Sequence, residues 1–333
     1  MKAFITDRYG KKETLRAGEM PEPVLRDNEV LVEVHAASVN VLDVKIRNGE
    51  FKLVLPYRAP FVLGHDVAGV VVRVGTKVSQ FKLGDAVYAR LDDFRIGGFA
   101  EFVAVQETSL AHKPQNISME EAASIPLVGL TAWQAFVEKA KLQEGQSVFV
   151  QAGSGGVGTF AIQLAKHLGT KVATTTSTVN VSWVKDLGAD VVVDYKQTDF
   201  ESVLKDYDVV LNSQDVTTLK KSLNVLKSGG QAISISGPPD AAFAKEIKAS
   251  WLVQQVMRLL STAVRKLAQK RHVDYSFLFM KASGSQLGQI TQLIESGAIR
   301  PVVDKVFPFA QTNEALAYVE SGRAKGKVVI KMK

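Results

Sequence analysis

The stretch Gln151-Ala152-Gly153-Ser154-Gly155-Gly156-Val157-Gly158-Thr159-Phe160 constrains the fold of this chain more than any other. Before it, Ser147-Val148-Phe149-Val150 reads as a short buried strand. After it, residues 160–169 read as an apolar helix that stops at Gly169. A strand, a glycine turn and a helix form the context in which G-x-G-x-x-G binds phosphate. Gly153 permits the tight turn, Gly155 lets the backbone approach a pyrophosphate with no Cβ in the way, and Gly158 lets the helix pack close to its strand. With Ser154, Gly156 and Val157 between them, these glycines place the phosphates at a helix N-terminus, where N–H groups are unpaired and the dipole is positive. Alone the pattern is weak, and an incidental glycine turn is the bland alternative.

The surroundings strengthen the dinucleotide reading. Segments 147–153, 171–177, 190–195, 207–213 and 231–237 are strand-like, and segments 160–169, 179–188 and 219–229 between them are helical. Each of those three helices ends in glycine, as a left-handed cap prefers. Such alternation implies a parallel sheet covered on both faces. The first 120 residues differ: 29–39, 67–75, 85–91 and 99–105 are short alternating or β-branched runs, which indicates a barrel-like β domain. The C-terminal part returns to β texture. The expected organisation is residues 1–120 plus 272–333 as one domain, with an α/β domain over 121–271 inserted in it.

Between residues 251 and 271 a single helix is expected, with Leu252, Val256, Leu259, Ala263 and Leu267 on one stripe and Arg258, Arg265, Lys266, Lys270 and Arg271 around it. The stripe is expected to pack on its own domain, with a membrane-surface or lid role as the alternative. Membrane contact is not the expectation for the protein. No apolar run approaches the roughly 18 residues of a membrane span, and no signal peptide is visible, so a cytoplasmic location is expected.

Cysteine is absent, which excludes disulfides, thiolate catalysis and any zinc site built on sulfur. The net charge of +7 suits attraction of an anionic cofactor. Nucleic-acid binding is not expected, because aromatics are not interleaved with the basic residues. About 20 residues past the glycines, an NAD enzyme places an acid on the ribose 2′-hydroxyl. Here Thr174, Thr175, Thr176, Ser177 and Thr178 stand instead, with Lys171 or Lys185 to lend charge. NADPH is therefore favoured over NADH, with Thr176 and Ser177 as donors and Tyr195 as a further phenol donor.

The motifs at 36–49, 63–75, 83–89, 97–105, 122–133, 152–158, 187–195, 227–237, 299–309 and 323–330 run in order along nearly the whole chain. In them the sequence resembles the medium-chain dehydrogenase/reductase superfamily, in its zinc-free quinone oxidoreductase-like branch, near the enone and alkenal reductases and the reticulon-interacting-protein subgroup. The resemblance implies a Rossmann doubly wound parallel sheet inserted in a GroES-like partly open β-barrel domain, a cleft holding NADPH, and a homodimer joined near residues 275–280. Zinc-dependent relatives use a Cys, a His and a second Cys; here only His65 remains, as a structural or pocket-wall residue.

The resemblance also implies NADPH-dependent reduction of a quinone or an α,β-unsaturated carbonyl, a small-molecule substrate. Negative charge then builds on the carbonyl oxygen, and the protein must supply donors and a proton. Asn40, Lys45 and Tyr88 match catalytic positions of the branch. Asp43 is expected to hold the loop, and Tyr57 and Arg58 to rim the pocket. Thr131, Ser236, Gly237 and Phe279 match cofactor contacts, and Gly326-Lys327 is a weaker match. The alternative is a non-catalytic NADPH-binding redox sensor or scaffold that kept the cleft and lost the chemistry.

Overall fold

In a computed structural model, residues 1–11, 13–52 and 54–333 are described, and the chain divides into two units, Met1–Leu130 with Lys281–Lys333 and Thr131–Met280. The N-terminal segment carries strands β1 (Lys2–Thr6), β2 (Arg16–Glu19), β3 (Glu29–Val39), β4 (Phe61–Val62), β5 (Asp66–Val74), β6 (Ala86–Arg90), β7 (Phe102–Gln106) and β8 (Leu110–His112). Its helices are α1 (Val41–Arg47), α2 (Met119–Ala123) and α3 (Pro126–Trp133), the last continuing past the boundary between the units. The second unit holds β9 (Ser147–Val150), α4 (Gly156–His167), β10 (Lys171–Thr176), α5 (Val181–Lys185), β11 (Val191–Asp194), β12 (Tyr207–Asn212), α6 (Val216–Ser222) and β13 (Leu226–Ser234). It closes with α7 (Ala241–Glu246), α8 (Trp251–Leu260), α9 (Thr262–Lys270) and β14 (Asp274–Phe277). The C-terminal segment adds α10 (Gly284–Glu295), β15 (Val303–Pro308), α11 (Thr312–Glu320) and β16 (Lys327–Lys331).

The first unit is organised by β3. Its valines and alanines are buried along both faces, so the strand needs cover everywhere. One edge pairs with β5; the other is shared, β7 taking Glu29–Glu33 and β16 taking Ala36–Val39. Both chain ends therefore build one sheet, of order β15-β16-β3-β5-β6-β8 with β7 on β3. A small sheet β2-β1-β4 accompanies it.

The second unit is a parallel sheet of order β11-β10-β9-β12-β13-β14. This is the doubly wound order, which reverses direction at the first strand and makes a ligand crevice there. Phe149, Ala173, Val210 and Ala232 fill the core from the sheet, and Phe149 meets the Phe200 ring at 5.0 Å. Gly169 (φ +75°) and Gly188 (φ +105°) stop α4 and α5 in the left-handed conformation. The third expected cap, Gly229, lies inside β13 instead, because α6 ends at Ser222.

The boundaries fall later than residues 120 and 271. Ala122 and Ala123 of α2 are buried, and α2 packs on β3 and β5, so it belongs to the first unit. At the other end, β14 pairs with β13 through Gln231↔Asp274 to Ser234↔Phe277, which makes it the sixth strand of the parallel sheet.

The single helix expected over 251–271 is two helices. The hydroxyls of Ser261 and Thr262 bond back to the carbonyls of Met257 (2.9 Å) and Arg258 (2.8 Å), a competition with the backbone ladder that bends helices. The expected stripe is overturned on α8, while Leu267 on α9 does pack on the core. Met257, Val264 and Ala268 face the unit's cores, whereas Leu252, Val256 and Leu259 are exposed. Among the described residues, no helix is long and apolar enough to cross a membrane.

Candidate cofactor and catalytic site

The glycine turn follows β9, at the reversal of strand order. Gly155 is the extended N-cap of α4 (φ −84°, ψ 169°), so the amides of Gly156, Val157 and Gly158 have no acceptor within the helix. The left-handed residue of the turn is Ala152 (φ +53°), at a cost of about 1 kcal/mol for a non-glycine residue. The tight turn expected of Gly153 is thus made one residue earlier. Gly153 is required by crowding instead: a Cβ there would lie 2.3 Å from Thr174 Oγ1. At Gly158 a Cβ would lie 2.2 Å from the Ala152 carbonyl oxygen, so helix and turn meet main chain to main chain. Gly155 differs. A Cβ there would touch only the Ala152 oxygen, at 3.3 Å, and would otherwise point into open space. Ser154 is half-buried beside it.

At the end of β10 the hydroxyls divide. Thr174 donates to the Val150 carbonyl (2.6 Å) and Thr175 accepts from the Ala152 amide (3.2 Å), so both belong to the turn's framework. The Thr176 hydroxyl is buried without a hydrogen-bond partner among the described residues. Ser177 accepts from Asn180 Nδ2 at 3.0 Å. Tyr195 is 60% exposed, its amide bonded to the Thr176 carbonyl. Lys171 begins the strand that Thr176 ends, about 17 Å away at 3.3 Å per residue, so it lends no charge there. Asp194 is in register with Thr176 on the neighbouring strand. The Thr178 hydroxyl, the Lys196 amide and Gln197 Nε2 bond to it and hold it below the usual carboxylate range.

A chain of buried amides and hydroxyls ties the neighbouring strand ends together. Gln151 donates to Ser222, Asn212 donates to Gln151 Oε1 (2.7 Å), and Ser234 donates to Asn212 Oδ1 (2.6 Å) while accepting from the Gly237 amide (2.7 Å). Ser236 donates to the Gln214 carbonyl at 2.6 Å. Thr131 is buried in α3. Phe279 lies two residues beyond β14, and its ring packs on Phe243 at 5.8 Å.

In the first unit, β3, β5, α1 and β16 bring together Ser38, Asn40, Asp43, His65, Asp66 and Lys327, all buried. Asp66 accepts from Ser38 Oγ (2.9 Å), Asn40 Nδ2 (2.9 Å) and the Leu127 amide (2.9 Å), with Lys327 Nζ at 3.5 Å. Lys327 also donates to Asn40 Oδ1. Burial pulls its ammonium below the usual lysine range, against the opposing pull of Asp66 and Asp43. Asp43 holds its loop: it accepts from the amides of Asn40 (2.8 Å) and Gly64 (3.2 Å), and His65 Nδ1 lies 2.6 Å from it. His65 Nε2 is buried with no partner among the described residues. Asn40 is therefore fixed in orientation by two charged neighbours.

Tyr88 is the clearest correction. It sits in β6, fully buried, with its hydroxyl donating to the Leu287 carbonyl (2.8 Å) and 2.9 Å from Thr291 Oγ1. Burial pushes its phenol well above the usual tyrosine range. A hydroxyl so committed joins β6 to α10 and has nothing to give a substrate. The Tyr57 hydroxyl is likewise spent on the Asp93 carbonyl, while Arg58 is exposed. Lys45 is different: half-buried on α1, its ammonium has no hydrogen-bond or ion-pair partner among the described residues.

Residues 26–115 match the alcohol dehydrogenase GroES-like domain, and residues 187–330 match the zinc-binding dehydrogenase family. NAD(P)H oxidoreductase RTN4IP1, mitochondrial, of Danio rerio is 37% identical over 99% of this chain and 91% of its own length. The chain belongs to the medium-chain dehydrogenase/reductase superfamily. Another member, the chloroplastic NADPH-dependent alkenal/one oxidoreductase of Arabidopsis thaliana, is 35% identical over 99% of this chain and 79% of its own. Among solved structures of the superfamily, the quinone oxidoreductase from Coxiella burnetii superposes with a TM-score of 0.86 at 30% identity, covering 100% of this chain and 99% of that one.

Zinc, which one matching family's description names, does not fit this member. The chain has no cysteine, and the described residues contain no group of three His, Asp or Glu side chains able to hold a metal. The carboxylates nearest His65 are already engaged by amides, a hydroxyl and Lys327. A nicotinamide dinucleotide does fit: the space at Gly155 is open apart from the Ala152 oxygen, and the amides of Gly156, Val157 and Gly158 at the start of α4 have no acceptor within the helix. Sequence reasoning missed Asp66, Gln151, Asn212 and Ser234. The only available signal for the last three was a polar residue at or just beyond the end of each successive parallel strand.

Proposed function

We propose that this protein is an NADPH-dependent oxidoreductase that reduces quinones or α,β-unsaturated carbonyls without zinc. The observation that carries the reading is the bare main-chain tip of α4 at Gly155–Gly158, placed where the parallel sheet reverses its strand order. There the amides of Gly156, Val157 and Gly158 would hold the pyrophosphate. Thr176, Ser177 and Tyr195 supply hydroxyls for a 2′-phosphate, while Asp194, held as an anion by its donors, is the group that opposes one. Bound NADPH would supply the hydride. Ser236, Gly237, Thr131 and Phe279 belong with the cofactor-holding unit in this reading.

The substrate needs a donor at the oxygen that gains charge. Lys45 is proposed for that role: its ammonium, half-buried on α1, has no competing acceptor among the described residues. Asn40 acts as a positioning residue through its bonds to Asp66 and Lys327. A homodimer accompanies the reading, since β14 leaves one edge of the parallel sheet open. So does a cytoplasmic location.

The test is turnover of NADPH with a panel of enones and quinones, together with NADPH and NADH titrations. Lys45→Ala is expected to lose about a hundredfold in kcat, in the range of a removed acid–base group, while NADPH binding stays intact. Unchanged kcat would remove Lys45 from the mechanism. Equal affinity for NADH and NADPH would remove the phosphate preference.

A further inference from the structure

Helix α8 turns an apolar arc to solvent. Trp251, Leu252, Val253, Val256, Leu259 and Leu260 are between 40% and 73% exposed. At 3.6 residues per turn they span about 200° of the helix. Met257, on the other side, is the buried residue that pins α8 to Phe243 and Ala244. Isolated exposed apolar residues are ordinary; six on one face of a ten-residue helix mark an interaction surface.

The same segment holds nearly all of the chain's excess charge. Residues 241–271 contain seven cations, Lys245, Lys248, Arg258, Arg265, Lys266, Lys270 and Arg271, against the single carboxylate Glu246, a net +6 of the chain's +7. Six of the seven are exposed, and Arg265 is half-buried. None of them forms an ion pair with a carboxylate among the described residues. Arg258 lies on α8 itself, at the flank of the apolar arc next to Trp251.

We propose that α8 docks on the surface of an anionic lipid bilayer. The apolar arc would enter the boundary between headgroups and acyl chains, with Trp251 at the interface, and the unpaired cations would face lipid phosphates. The helix is about 15 Å long and a bilayer's hydrocarbon core about 30 Å thick, so it lies on the membrane and does not cross it. A second copy is the poorer occupant, because it would set +6 against +6. A nucleic acid would satisfy the cations and leave the leucines in water. This surface is independent of the reductase reading, and its test needs no turnover.

The purified full chain is sedimented with vesicles of phosphatidylcholine and with vesicles of phosphatidylcholine plus phosphatidylglycerol. Binding is expected on the anionic vesicles alone, with release at about 1 M salt, where the screening length falls to about 3 Å. The triple variant Lys266→Gln, Lys270→Gln, Arg271→Gln is expected to weaken partition about a hundredfold, roughly fivefold per removed cation. Leu252→Gln with Leu259→Gln weakens it at least tenfold. Both variants change exposed side chains, so an unaltered melting temperature confirms that they are folded. On the unaltered chain, brominated acyl chains are expected to quench a fluorescence component that Trp251→Phe abolishes. Failure to bind anionic vesicles, equal binding to neutral ones, or variants that bind like the parent would overturn the proposal. So would an oligomer that dissociates in Leu252→Gln, Leu259→Gln without any vesicle binding by the parent, which would make the face a protein interface.

Discussion

The tip of α4 and the cluster around Asp66 both gather polar groups, but one leaves them open and the other closes them up. At the tip, three amides have no acceptor within the helix, and the space that a Cβ at Gly155 would enter is open. Around Asp66 the side chains of Ser38, Asn40 and Lys327 are spent on Asp66 or on one another, and Asp43 on two backbone amides and His65, with only the far nitrogen of His65 left over in this cluster among the described residues. Unsatisfied donors at a helix end are binding capacity. Satisfied donors in a buried network are rigidity, costly to break and specific in geometry. The comparison assigns the first region to the cofactor and the second to holding the Asn40 loop and α1 in place.

Breaking the closed region should produce the largest effect. Lys327→Met leaves the buried Asp66 carboxylate without its cation and Asn40 Oδ1 without its donor. A stability loss of roughly 3 kcal/mol is expected in urea unfolding, with NADPH affinity unchanged. The pH dependence follows in sign. Because burial lowers the folded-state pKa of Lys327, the unfolded chain binds more protons just below the unfolded lysine value of about 10.4. The contribution of this group to stability therefore rises with pH through that window, and Lys327→Met should flatten the rise.

The open region sorts its glycines. Gly158→Ala sets a Cβ 2.2 Å from a carbonyl oxygen, so NADPH affinity should fall about a hundredfold, or 2.7 kcal/mol, together with the melting temperature. Gly155→Ala has room to fold. It should weaken NADPH about tenfold, or 1.4 kcal/mol, at an unchanged melting temperature, as read by calorimetric titration. Full affinity in Gly155→Ala would mean that the space in front of α4 is not where phosphate binds.

The smallest effect sharpens the line between the two kinds of region. Tyr88→Phe removes one buried hydroxyl bonded to Leu287, which is expected to cost about 1 kcal/mol of stability and nothing in kcat. A large kcat loss at full stability would return Tyr88 to the site.

Much of this contrast follows from how far apart in the chain the contributors lie. The glycine turn is six contiguous residues, 153–158, whose spacing carries its own geometry, so it was legible. The same is true of the strand–helix alternation and of the return of the C-terminal segment to β texture. The Asp66 cluster draws on residues 38–66 and then on Lys327, joined only because β16 pairs with β3. No local pattern announces that. Tyr88 was assigned to the site through the family resemblance alone, which fixes a position in β6 but not the acceptors its hydroxyl finds on Leu287 and Thr291, 199 and 203 residues further along the chain. The stripe on α8 was misread for the opposite reason: apolar periodicity was taken to mean packing, but Ser261 and Thr262 break the helix and the two halves bury different faces. Gly153 was given the tight turn, which Ala152 makes instead in the left-handed conformation.

Hydride tracing tests the central claim most directly. The protein is incubated with NADPH carrying deuterium at the transferable C4 position, an enone and a zinc chelator, and the product is examined by NMR. The account predicts one deuterium on the former β-carbon of a saturated ketone, at a rate the chelator does not change. Product without deuterium, or deuterium transfer that the chelator abolishes, would contradict it.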